Sequence, residues 1–128
     1  MSYRWLTKEE VIALHENAIA DFGGDTGNLN EGALEATLYR PQHLQFYEPE
    51  SNIFDLAAAY GYGFAKNHCF VDGNKRTAFI SIAVFLFLNG YELIASEVEV
   101  VEIMVDLVND DTSQEELAAW LSKNTESR

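Results

Sequence analysis

An apolar run from Ala78 to Leu88 constrains the fold of this chain more than any other stretch. Ser81 is its one polar residue, and Gly90 follows where such a helix would end. A helix that is apolar on every side has to be covered by other elements, so we expect this one at the centre of a domain. Because it is about half the length that crosses a bilayer, it is predicted to be a core helix rather than a membrane span.

The residues just before this helix are rich in groups that can hold a phosphate. Helix N-termini already expose N–H groups and partial positive charge, which favours Asp or Glu there. Lys75 and Arg76 occupy the first turn instead, an arrangement that is destabilising unless an anion binds among them. Gly73 and Asn74 tolerate the positive φ of an anion-binding backbone nest. The pattern favours a phosphate site; the alternative is a pair of solvated cations at a surface corner.

Two further residues of this segment could take part in phosphoryl chemistry. His68 could accept the proton of an attacking hydroxyl while the cations hold the anionic group. Asp72 could supply a carboxylate oxygen to Mg²⁺, which bridges phosphates in most nucleotide sites. Asp72 could equally cap the central helix, and the two roles are compatible. Phe70, between them, is predicted to anchor the loop in the core.

Spacing excludes several other kinds of site. The Gly-Asn-Lys-Arg-Thr segment lacks the earlier glycine of a P-loop, and no nucleophile elbow for Ser/His/Asp hydrolysis is present. Zinc ligands would need closer spacing than that of the candidate residues, which are His15, His43, His68 and Cys69. Gly61 and Gly63 have no third glycine and no preceding strand, so they are predicted to let a neighbouring helix pack closely rather than to bind a nucleotide.

Composition limits the partners and the compartment. The net charge of −13 argues against direct binding to nucleic acid or to an anionic membrane. The single cysteine, Cys69, indicates a reducing compartment. Because the first ten residues lack an apolar run with a cleavage site, we expect a cytoplasmic protein.

Helix-start signals divide the chain into six helices around the central one. In chain order, these start signals are Thr7 with Glu10, Asn30, Ser51 or Asn52, the loop before Ala78, Ser96 with Glu99, and Thr112-Ser113 with Glu115-Glu116. Pro41 is predicted to end the second helix, residues 42–49 to form a loop, and residues 91–95 a short linker or strand. The predicted architecture is all-α, with one domain over residues 1–128.

The segment HCFVDGNKRTA resembles the loop of the Fic/Doc family, H-x-F-x-[D/E]-[G/A]-N-[G/K]-R-T. The flanking segments FGG, ALEATLYRPQ, LAAAYGYGFAKNH and FLFLNGYEL are similar to the death-on-curing, or Doc, branch, so the resemblance covers about residues 7–95. It implies an all-α fold of about six helices. It also implies that His68 is the general base, that Asp72 binds the metal, and that Gly73, Asn74, Lys75 and Arg76 contact phosphates.

The family divides by chemistry, and two positions bear on the division. AMP-transferring members have glycine after the loop asparagine and an arginine further on, where this chain has Lys75 and Phe79. By resemblance, Doc-type toxins transfer the γ-phosphate of ATP or another nucleoside triphosphate to a hydroxyl of elongation factor Tu, with Mg²⁺, and stop translation. Gly73 is more similar to the AMP-transferring branch, so AMP transfer to a protein hydroxyl is the alternative. A catalytically inactive binding module is a second alternative.

No inhibitory helix of the [S/T]-x-x-x-E-[G/N] pattern is visible in the sequence. The nearest segment, Thr112 to Glu116, is followed by Leu117. The resemblance therefore implies that an antitoxin is supplied in trans, as a chain whose C-terminal segment folds into a groove near the site.

Overall fold

A computed structural model describes residues 3–27 and 29–128. Its elements are α1 (Lys8–Phe22), α2 (Glu31–Tyr47), α3 (Ile53–Lys66), α4 (Asn74–Leu88), β1 (Tyr91–Leu93), α5 (Glu97–Val108), α6 (Gln114–Lys123) and β2 (Thr125–Ser127). The two short strands pair antiparallel, with Leu93 opposite Thr125. The predicted all-α architecture of six helices is confirmed. In the described part of the chain, no helix is both long enough and apolar enough to cross a bilayer.

Local hydrogen bonds set the beginnings of the helices, as the sequence predicts. Reciprocal capping boxes join Thr7 with Glu10, Asn52 with Asp55, Ser96 with Glu99, and Ser113 with Glu116. The side chain of Asn30 accepts a hydrogen bond from the backbone N–H of Ala33 at 3.0 Å. Each bond satisfies an amide that would otherwise lack a partner at a helix start.

Helix α3 is the most completely buried helix and lies against α2, α4 and α6. Its glycines allow these close approaches: a Cβ on Gly63 would lie 2.6 Å from Thr37 Cγ2, and one on Gly61 would overlap the side chain of Ile82. The prediction that these glycines serve helix packing is confirmed. Helix α4 packs along α3 through its buried face, which comprises Thr77, Ala78, Ser81, Ile82, Phe85 and Leu86. The C-terminal end of α4 is less covered than its sequence predicts, because Phe87 and Leu88 are exposed.

Helix α2 is longer than the sequence predicts. It runs through Pro41 and ends at Tyr47, so the predicted helix end at Pro41 is wrong. The predicted loop over 42–49 is wrong for residues 42–47 and holds only for residues 48 and 49. Pro41 is buried, and Leu44, one turn further on, packs against the core. We infer that this burial offsets the backbone hydrogen bond that a proline removes.

Candidate active site

The loop that joins α3 to α4 is fixed in the core at two points and exposed at three. Cys69 and Phe70 are buried, which confirms the predicted anchor at Phe70, whereas His68, Val71 and Asp72 are exposed. Asn74 closes the loop, because its Oδ1 accepts from the N–H of Phe70 at 3.1 Å and its Nδ2 donates to the Phe70 carbonyl at 2.9 Å. The side chain of Asn74 is therefore occupied in holding the loop.

His68 has a backbone conformation that is rare for a residue with a side chain. Its φ is 49°, in the left-handed region. Such a conformation costs energy and persists only where the surrounding structure enforces it, which is common at functional sites. The imidazole is exposed, so a substrate hydroxyl could reach it.

Backbone amides orient the carboxylate of Asp72. Its Oδ1 accepts a hydrogen bond from the N–H of Gly73 at 2.8 Å, and its Oδ2 accepts one from the N–H of Asp25 at 3.3 Å. The alternative role of Asp72 as the helix cap is wrong: Gly73, with φ of 77°, is the N-cap of α4 and makes no side-chain capping bond. A carboxylate has about four lone-pair positions, so two remain for a metal.

The residues present fit a Mg²⁺ ion held mainly by substrate phosphates. The described residues contain no group of three potential metal-binding side chains. Mg²⁺ typically keeps several waters and takes one or two carboxylates together with phosphate oxygens. Asp72 alone could therefore serve as the protein ligand.

Lys75 and Arg76 extend from the uncapped first turn of α4. Both are exposed, and the ion pairs of the described residues use Arg4, Lys8 and Lys66 as cations, which leaves this pair without a carboxylate partner. The guanidinium of Arg76 lies over the ring of Phe22, with 3.6 Å between Cζ and the ring centroid. The pair is thus directed to solvent at a helix end that already favours anions.

The structure brings only part of the predicted site into one concavity. Lys75 and Arg76 line a groove of about 600 Å³, whose other walls come from α1, α4, α5 and the segment before α5. Its apolar walls are Phe22, Phe79, Ile80, Ala95, Val100, Val101, Met104 and Val105. His68, Asp72, Gly73 and Asn74 are not among the lining residues. They lie on the adjoining loop, at the helix cap and at the first residue of α4.

Sequence reasoning missed two residues that support this loop from below. His15, on α1, is buried, its Nε2 donates to the Asp72 carbonyl at 2.8 Å, and its ring stacks on Phe70 with 3.8 Å between centroids. Thr37, on α2, contacts the loop at Cys69. The position of His15 on the same helix face as Val11 and Ala18 is a sequence signal for its burial. No signal in the sequence links Thr37 to the loop.

Comparison with known proteins gives the family of this chain. Residues 5–86 match the Fic/DOC family. The chain is 34% identical over 120 residues to "Protein kinase doc" of Escherichia phage P1, an alignment that covers 94% of each chain. It is also 34% identical over 121 residues to "Toxin Doc" of Mycolicibacterium smegmatis, which covers 92% of this chain and 91% of that protein. This chain therefore belongs to the Fic/Doc family and groups with its Doc toxins.

Proposed function

We propose that this protein is a Doc-type toxin that acts in the cytoplasm as a nucleotide-dependent protein kinase. Its substrate would be elongation factor Tu, whose phosphorylation stops translation. The observation that carries the proposal is the cation pair, Lys75 and Arg76, at an uncapped helix N-terminus beside the exposed loop of His68 and Asp72. Neither cation has a carboxylate partner in the part of the chain that the structure describes. Such a helix end is suited to a phosphate and costs stability without one.

In phosphoryl transfer, His68 would act as the base, and the first turn of α4 would hold the phosphates. The attacking hydroxyl gives its proton to the neutral imidazole of His68 while its oxygen bonds to the γ-phosphorus. The bond from that phosphorus to the β–γ bridging oxygen breaks, and the nucleoside diphosphate leaves. Lys75, Arg76 and the backbone amide of Asn74 hold the phosphate oxygens, while the amide of Gly73 is bonded to the carboxylate of Asp72.

Asp72 would hold Mg²⁺, which neutralises phosphate charge when it is bound. The two amides that bind Asp72 fix the direction of its carboxylate before any ligand arrives. A fixed carboxylate loses little conformational freedom on binding the ion.

Transfer of AMP is the second candidate, and Gly73 is the residue that favours it. The kinase is favoured by Lys75, whose ammonium takes the place of the glycine of AMP-transferring members and would restrict how the phosphates lie. It is further supported by the relative from phage P1, whose name is that of a protein kinase.

Labelled ATP separates the two reactions. We expect purified elongation factor Tu, incubated with this protein and Mg²⁺, to gain label from γ-labelled ATP and none from α-labelled ATP. His68→Ala should lower the rate on the order of a hundredfold or more, the usual contribution of a general base. Exposed His43 on α2 provides the control, since His43→Ala should keep the wild-type rate. Label from the α position alone would establish AMP transfer instead, and undiminished toxicity of His68→Ala in cells would favour a binding module.

We further propose that the groove beside Lys75 and Arg76 receives an antitoxin segment. Its apolar walls include the exposed side chains of Phe22, Val101 and Val105. Exposed apolar groups that lie together in this way are typical of interaction sites. The cations at its end stand out in a chain of net charge −13 and would pair with carboxylates of an incoming amphipathic helix. A segment seated there would cover the cations that the proposed kinase needs for phosphate.

Co-expression with the product of the neighbouring reading frame tests the groove. Val101→Asp places a charge on the groove wall. It should weaken the neutralisation of this protein's toxicity by the antitoxin by about tenfold or more, the loss typical of one central interface contact. Val98→Asp is the matched control, because Val98 is an exposed valine of α5 outside the groove. Equal neutralisation of both variants would place the antitoxin elsewhere.

A further inference from the structure

The left-handed conformation of His68 needs a source of support. A non-glycine residue at φ of 49° is less stable than the same residue in an extended or right-handed helical conformation. His68 is exposed, so packing of its own side chain does not supply the support. The residues on either side of it are held to the protein instead.

One hydroxyl group bonds to both neighbours of His68. Thr37 is fully buried on α2, and its Oγ1 donates to the carbonyl of Ala33 at 2.8 Å. The same oxygen accepts a hydrogen bond from Asn67 Nδ2 at 3.0 Å and lies 3.5 Å from Cys69 Sγ. Because its only proton goes to Ala33, the thiol of Cys69 is the donor in the last contact. The hydroxyl therefore uses one donor and two acceptor positions, its full capacity.

Main-chain bonds complete the support on each side. The N–H of Asn67 donates to the carbonyl of Gly63 at 2.9 Å, which ties the residue before His68 to α3. The N–H of Asn30 donates to the carbonyl of Cys69 at 2.7 Å, which ties the residue after it to the start of α2. The thiol stays protonated as this geometry requires, because burial raises the pKa of Cys69. His68 is thus a short exposed bridge between two fixed residues.

We propose that Thr37 is a positioning residue for His68. Through Asn67 and Cys69, Thr37 holds this base in its reactive orientation. The inference rests on the proposed function, in which His68 accepts the proton of the substrate hydroxyl. Thr37 is too deeply buried to contact substrate, so its effect would pass through the loop alone.

Paired substitutions of Thr37 test this role with the elongation factor Tu and γ-labelled ATP assay. Thr37→Val keeps the shape of the side chain and removes the hydroxyl, and should lower kcat about tenfold or more because small misplacements of a reacting group are costly. KM for ATP should stay near the wild-type value, since Thr37 does not contact the phosphate-holding residues. Thr37→Ser restores the hydroxyl and should restore kcat. The matched control is Ser81→Ala, which removes a buried hydroxyl that has no partner among the described residues.

A second readout does not depend on catalysis. Thr37→Val should speed amide hydrogen exchange at Asn30 and Asn67, whose N–H bonds flank the loop, relative to Asn124 at the end of α6. If wild-type protein transfers no label, the proposed function fails. Faster exchange in Thr37→Val would then still support the structural part of the inference, that Thr37 holds the loop that carries His68. If wild-type protein is active and Thr37→Val keeps its kcat, or Thr37→Ser is impaired equally, the inference is overturned.

A variant outside the core keeps the inference testable even if a Thr37 variant does not fold. Asn67 is exposed, and Asn67→Ala removes one of the two links to the hydroxyl. It should lower kcat in the same direction, by a smaller factor, with KM for ATP unchanged. A wild-type kcat in Asn67→Ala would overturn the inference even if Thr37→Val is unfolded.

Discussion

At the scale of single residues, His15 shows how a buried side chain can control an exposed one. Its Nε2 donates to the main-chain carbonyl of Asp72, and its ring stacks almost parallel on Phe70, at 6° between planes. Asp72 is thereby held by three hydrogen bonds: two on its carboxylate oxygens and one on its main-chain carbonyl. Partners of this kind, one step removed from a metal, commonly tune its affinity.

We predict that His15→Phe weakens the response to Mg²⁺. Phenylalanine keeps the stacking on Phe70 and removes the donor to Asp72, so the Mg²⁺ concentration at half-maximal rate should rise on the order of tenfold. The measurement is the Mg²⁺ dependence of label transfer from γ-labelled ATP, with His43→Phe as a control at an exposed histidine. An unchanged Mg²⁺ dependence in His15→Phe would show that the bond to Asp72 has no bearing on the metal.

The separation of the site residues along the chain decides which of them could be predicted from the sequence. His68 and the residues from Asp72 to Arg76 are close in sequence, so they could be singled out as a candidate site without knowledge of the fold. His15 and Thr37 reach the loop through tertiary contacts, across 57 residues from His15 to Asp72 and 32 from Thr37 to Cys69. The polar atoms of a buried side chain depend on what the fold places beside them, and a single sequence does not state that.

At the scale of elements, local signals predicted where helices begin better than where they end. The box of Ser96 and Glu99 is contained in four consecutive residues, so the start of α5 could be read directly. The end of α2 depends on burial of Pro41 and Leu44 against other helices, which outweighs the local preference against proline. Strand β2 was not predicted, because three residues, Thr125–Ser127, form a strand only through pairing with β1.

At the scale of the whole molecule, the end of α4 that lies away from the candidate site is held by Arg4, Trp5 and Arg128. The backbone of Arg4 exchanges two hydrogen bonds with the side chain of Asn89, and the N–H of Arg128 donates to the carbonyl of Gly90 at 3.0 Å. Trp5 stacks on Phe85 with 5.8 Å between centroids. The first turn of α4 can therefore remain open to a ligand while the rest of the helix is fixed, which makes α4 a rigid support for the loop.

Tyr60 joins the N-terminal segment to α3 and makes the stability of the molecule sensitive to alkaline pH. Its hydroxyl accepts a hydrogen bond from the N–H of Leu6 at 3.0 Å, and the side chain is fully buried. Burial raises the pKa of Tyr60 to about 12, and the negative charge of Glu10 adds to the effect. An unfolded tyrosine ionises near pH 10, so between pH 10 and 12 the unfolded state loses a proton that the folded state keeps.

The free energy of unfolding should therefore fall as the pH rises from 10 to 12, by about 2 kcal/mol from this residue. Tyr60→Phe should lower the free energy of unfolding by about 1–3 kcal/mol at pH 7, because the N–H of Leu6 loses its acceptor in a buried place. The same variant should show a shallower decline above pH 10, since the phenol that titrates is gone. Urea unfolding at pH 7, 10 and 11 measures both effects, with Tyr39→Phe as the control at pH 7 for a hydroxyl lost from an exposed tyrosine. An alkaline decline in Tyr60→Phe as steep as that of the wild type would assign the pH dependence to other groups.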